Sequence, residues 1–168
     1  MYLDKKLWQR FISLLFISIL TASLSYAALK SPNEQQASHL LKLSQWMIWP
    51  DSVFEAPTTP FRICILGNVL GFDTRVLYQT VNQRTTIVLP INDIKQANVC
   101  HILFISQSEQ YNLTTILVYV QQYPILTVSD IEDFIVQGGM VQFYNRGNQV
   151  RLMFDPQTVY DVGITPQI

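Results

Sequence analysis

Val99 to Ser106 (VCHILFIS) is apolar, His101 and the terminal Ser106 apart, on both sides of any strand it could form, and nothing else in the chain constrains the fold so tightly. Successive side chains of an extended segment point to opposite faces, so a strand without a polar side needs cover above and below. In a small protein this places it in the middle of a mostly parallel sheet with helices on both faces.

The rest of the chain supplies the other layers. Ser31-Pro32-Asn33-Glu34 combines a capping serine, a proline in the first turn and a glutamate three residues on, which together predict a helix start. The helix sets Ala37, Leu40, Leu41, Ser44, Met47 and Ile48 on one stripe and ends at Trp49-Pro50. After a loop over 51–60, Phe61 to Leu66 (FRICIL) reads as the first core strand. A second helix is expected from near Asp73, with Val76, Leu77 and Val81 turned inward. Thr85 to Leu89 is the next strand, and Ser108 to Gln122 a third helix carrying Leu113, Ile116, Leu117 and Val120 at helical spacing.

Ile125 to Val128 is a short strand, and Ser129-Asp130-Ile131-Glu132 repeats the capping pattern before a brief helix to Val136, which Gly138-Gly139 stops. Met140 to Tyr144 and Gln149 to Phe154 read as strands joined by a polar turn over Asn145 to Asn148. Asp155-Pro156 caps a last short helix that Gly163 ends. The expected fold class is α/β, with flavodoxin- or Rossmann-like layers and a C-terminal antiparallel pair. In the flavodoxin-like strand order, the Cys64 and Cys100 strands are neighbours.

The N-terminus has the layout of an export signal. Lys5, Lys6 and Arg10 precede the apolar run Phe11 to Leu20, and Ser25-Tyr26-Ala27 offers small residues for cleavage. The run is about half the length needed to cross a bilayer as a helix. Residues 1–27 are therefore read as a signal peptide, and 28–168 as one domain of 141 residues. Its eight basic and eleven acidic side chains leave a formal charge of −3. That balance speaks against nucleic acid as the main partner, since such binding needs a concentrated basic patch.

Catalytic constellations are missing. Gly67 to Gly71 lies between a strand and a helix but lacks the lysine of a P-loop and the glycine spacing of a dinucleotide fingerprint. His39 and His101 have no ligand spacing around them, so no metal or cofactor is expected. Asp130, Glu132 and Asp133 form the one tight acidic group, which capping and the helix dipole explain. Ser106, Ser108 and Ser129 lack a nucleophile elbow. Cys64 and Cys100 form a natural disulfide pair in an oxidising compartment, the alternative being two buried thiols. Trp46, Trp49 and Phe54 cluster around the end of the first helix, either as core or as an aromatic ledge for a partner.

Several ordered segments carry a family likeness. Gln45-Trp46-Met47-Ile48-Trp49-Pro50 with Phe54, Ile63-Cys64-Ile65-Leu66-Gly67, Cys100-His101-Ile102-Leu103-Phe104-Ile105-Ser106, Leu126-Thr127-Val128-Ser129-Asp130 with Phe134, and Gly138-Gly139-Met140 together resemble the YfiR family. The resemblance implies a periplasmic α/β protein without catalytic activity that binds and represses the periplasmic sensor region of an inner-membrane diguanylate cyclase. It also implies an OmpA-like outer-membrane lipoprotein as a sequestering partner, and it leaves room for a homodimer. Cys64 and Cys100 match the family's cysteine pair, whereas the second pair of some members has no counterpart. Members commonly continue into a serine- and leucine-rich tail, where this sequence stops at Thr165 to Ile168. The rival reading is a periplasmic small-molecule sensor using the crevice near Gly67 and Ser106.

Overall fold

The computed structural model describes residues 31–68 and 74–167; the expected signal peptide, Asp73 and most of the Gly67 to Gly71 loop lie outside them. Helix α1 (Pro32–Trp46) begins as the sequence predicts: Ser31 Oγ accepts from the Glu34 N–H, and the Glu34 carboxylate accepts from the Ser31 N–H at 3.0 Å. It ends earlier than expected. Met47–Ile48 is a short strand, β1, that leaves Ile48 exposed instead of on the buried stripe.

Strand β2 (Phe61–Leu66) follows the loop, and the next expected helix is a single 3-10 turn over Thr74–Leu77. Val81 is buried as predicted, but in a strand, β3 (Thr80–Val81), which forms a hairpin with β4 (Arg84–Ile91). Asn82 and Gln83 make that turn with φ of 47° and 66°. Two consecutive left-handed residues match the right-handed twist of a hairpin, and without a glycine the sequence hides the turn.

A 3-10 helix over Ile94–Val99 leads to β5 (Ile102–Ile105), so the apolar run forms a shorter strand than expected and Val99 is exposed. The third expected helix is divided into a 3-10 segment, Gln107–Asn112, and α2 (Leu113–Val120). After β6 (Leu126–Ser129), residues 131–138 form successive turns in place of the expected brief helix, with Asp133 at a φ of 55°. Strands β7 (Val141–Arg146) and β8 (Gln149–Phe154) form the expected antiparallel pair around Gly147-Asn148. Asp155 caps α3 (Pro156–Asp161), and β9 (Thr165–Pro166) returns to pair with β1.

The main sheet has seven strands in the order β3-β4-β2-β5-β6-β7-β8, with every contact from β4 through β7 parallel. The parallel core thus has the flavodoxin-like order, flanked by one antiparallel hairpin strand on each side. All four residues of β5 are buried because the two faces feed separate cores. Ile102 and Phe104 pack with Leu40 and Leu43 of α1, whereas Leu103 and Ile105 pack with Leu113, Ile116 and Leu117 of α2. Burial of each such side chain contributes about 1.5–3 kcal/mol.

The β8 edge is partly closed by α1. Gln35 Oε1 accepts from the Val150 N–H at 2.8 Å, and His39 Nε2 lies 3.1 Å from the Val150 carbonyl, which makes that nitrogen the donor.

Candidate partner-binding site

The three aromatics expected either in the core or on a partner-binding ledge have different environments. Trp49 is 5 % exposed, with its indole N–H donating to the His101 carbonyl at 3.1 Å and its ring edge-on to Phe61 at 4.8 Å. Trp46 is 43 % exposed and lies away from Trp49, 5.6 Å from Phe154 with its N–H donating to the Gln167 carbonyl. Phe54 is half-buried, with the Arg84 guanidinium 3.9 Å from its ring centre.

Loop 51–60 is what positions Phe54. A 3-10 turn over Asp51–Val53 opens it, and Arg84 Nη1 closes it by donating to the carbonyls of Ala56, Pro57 and Thr59. A planar guanidinium that both stacks on a ring and satisfies three carbonyls fixes a loop better than a lysine would. The product is a groove of about 240 Å³ lined by Ile48, Trp49, Asp51, Phe54, Phe61 and Arg84, among others. Trp49 and Phe54 are brought together there, while Trp46 is not part of it.

His101, which the sequence marks only as a histidine without ligand spacing, is buried at the centre of this cluster. Its ring lies between Phe54 at 4.7 Å and Phe61 at 4.8 Å, nearly parallel to both, and its Nδ1 accepts from the Arg62 N–H. Burial first, and then the Arg62 charge, hold its pKa down to about 4, so the imidazole is neutral near pH 7. The signal was a histidine embedded in an apolar strand, a position that a neutral imidazole stacked between rings can occupy.

Beside this stack, Cys64 of β2 and Cys100 are joined in a disulfide, with Cα atoms 5.8 Å apart. The bond ties β2 to the start of β5 where the two strands run side by side. At the opposite end of the sheet, two serines stand at the crevice of the rival reading. Ser106 and Ser108 hydroxyls lie 2.8 Å apart, Ser108 Oγ accepts from the Asn68 N–H, and a side chain at Gly67 would meet both hydroxyls.

Among the described residues no group of three or more His, Cys, Asp or Glu is placed to hold a metal ion. None of the described helices is long and apolar enough to cross a membrane. A family model described as YfiR/HmsC-like matches residues 33–167. The chain belongs to the YfiR/HmsC-like family. No curated protein matches the sequence. The family match runs from the first turn of α1 to the residue after β9, so the disulfide, the His101 stack and the aromatic groove all lie within the YfiR/HmsC-like domain.

Proposed function

We propose that this chain is an exported regulator that binds the periplasmic sensor region of an inner-membrane diguanylate cyclase and holds it inactive, lowering cyclic-di-GMP and biofilm formation. The observation that carries the reading is the YfiR/HmsC-like match over residues 33–167. The disulfide supports an oxidising compartment. The groove beside Phe54 supports contact with a protein, because it sets a half-buried ring next to an arginine, one of the residue types that interface hot spots favour. Repression follows from differential binding: a protein that prefers the inactive conformation of the sensor shifts the cyclase toward it. This role requires no catalytic residue or cofactor.

The test is recovery of partners from detergent-solubilised membranes of the host with the purified, oxidised protein, followed by mass spectrometry. Capture of a diguanylate cyclase whose product output falls on adding the protein supports the reading. Absence of any cyclase among the partners sinks it and moves attention to small ligands.

A further inference from the structure

The outward side of the β7–β8 hairpin breaks the pattern of a solvated sheet face. An antiparallel pair with one side in water ordinarily turns polar residues outward. Phe143 and Val150 point into the core shared with α1, so Tyr144 and Met153, which alternate with them, lie on the other side. These two are 38 % and 44 % exposed. The turns over 131–138 lie on that same side, because the Gln142 side chain accepts from the Ile135 N–H, and they add Val136 at 83 % exposure.

Charges of opposite sign flank these apolar side chains. Glu132 and Asp133 are both exposed, and no helix follows Ser129 whose dipole they could stabilise. Glu132 shares a cleft lining with Tyr144, while Arg151 stands directly opposite Tyr144 in the ladder and Arg146 follows two residues along the same side. From Glu132 across Tyr144 to Arg151 the surface therefore passes from negative to positive. The hairpin itself, Val141 to Phe154, contains no acidic residue. Arg151 donates to the Gln149 side chain, and among the described residues none of these four charges is in an ion pair.

We propose that this face is where two copies of the chain meet, about a twofold axis near Tyr144. A twofold contact uses one patch twice, so the patch must complement itself. Rotation about Tyr144 sets Arg151 of one copy against Glu132 of the other, and the same pair recurs across the axis. Tyr144, Met153 and Val136 then fill the middle, where aromatic residues and methionine are enriched in interfaces. The formal charge of −3 on residues 28–168 opposes association of copies in general. A face with both signs in complementary order offsets that repulsion at close range and fixes the orientation. The face adjoins the carboxyl ends of β5 and β6, opposite the end that holds the Phe54 groove, so the inference stands apart from the cyclase reading.

Sedimentation equilibrium of the purified, oxidised protein tests it, and the expected result is a concentration-dependent dimer. Arg151→Glu and Glu132→Arg each turn an attraction into a repulsion on both sides of the axis, and each weakens the dimer about tenfold or more. Mixed in equal amounts, the two variants regain opposite charges at both positions and associate about as tightly as the unaltered protein, which a folding defect in either could not produce. Arg146→Glu and Asp133→Arg are the reserve pair if circular dichroism shows that either first variant is unfolded. A protein that stays monomeric at about 1 mM overturns the proposal. So does a dimer indifferent to the substitutions, or a failure of folded variants to recover on mixing.

Discussion

The Arg62 backbone N–H donates to Nδ1 of His101 at 2.8 Å, which leaves Nε2 to carry the imidazole proton. A second proton would remove that acceptor and place a charge between two phenylalanine rings beside Arg62. The folded pKa, about 4, is below the ordinary 6.5, so the unfolded chain takes up a proton that the folded one does not. This contribution to stability is therefore complete above pH 6.5, declines as pH falls, and is lost below about 4. It amounts to on the order of 3 kcal/mol. An NMR titration should show the His101 imidazole neutral throughout pH 5–8, and a midpoint near 6.5 would refute the buried neutral assignment.

The Cys64–Cys100 disulfide closes a loop with a sequence separation of 36. In the chain-entropy model such a link is worth about 4 kcal/mol. Denaturant unfolding of the Cys64→Ser, Cys100→Ser double variant should show a loss of that order, and reductant should have little further effect on it. Equal stability of the variant and the oxidised protein would mean that β2 and β5 hold each other without the bond.

Trp46 and Trp49 should behave differently. Trp49→Ala removes a buried ring and its hydrogen bond to His101 and should cost about 3–5 kcal/mol. Trp46→Ala should cost about 1 kcal/mol, since the ring is half open to solvent. Thermal unfolding of both variants decides this, and similar losses would contradict the placement of Trp49 in the core.

Phe54→Ala tests the groove itself. On the proposed function, the exposed part of the ring contacts the cyclase sensor, and its loss should weaken that binding about tenfold in a surface-binding assay. The folded state should survive, because Arg84 still holds the loop through the Ala56, Pro57 and Thr59 carbonyls. Unchanged affinity would remove the groove from the interface.

Gly139→Ala should destabilise the protein by about 1–3 kcal/mol, because the new methyl would overlap the ring of fully buried Phe134. Gly147→Ala at the hairpin meets no neighbouring atom within 4 Å and costs only the strain of its φ of 61°. Comparing the two thermal midpoints separates crowding from backbone strain.

Periodicity and capping chemistry made the layers legible in the sequence. The two-faced apolar run implied a covered parallel strand, and Ser31 with Glu34 fixed the start of α1. Where the reading failed, local geometry was chosen by tertiary contacts. Asn82-Gln83 adopts a left-handed turn that usually calls for glycine, and Val81, apolar in either reading, could not distinguish a helix from a hairpin. The capping pattern at Ser129 was real as a turn, with Ile131 held by the serine, but too little helix propensity followed it. At the candidate site, the tryptophans and Phe54 were visible, yet their separation into core and surface depended on where β9 and the 51–60 loop return in space.

The β1–β9 pair sets the order in which this domain can be finished. Met47 stands opposite Pro166 and Ile48 opposite Thr165, and the Trp46 carbonyl accepts from the Gln167 N–H. The far end of α1 therefore gains its last neighbours only when the final residues of the domain have arrived. A chain threaded through a membrane channel from its N-terminus would leave this domain incomplete, and open to further threading, until residues 165–167 had crossed.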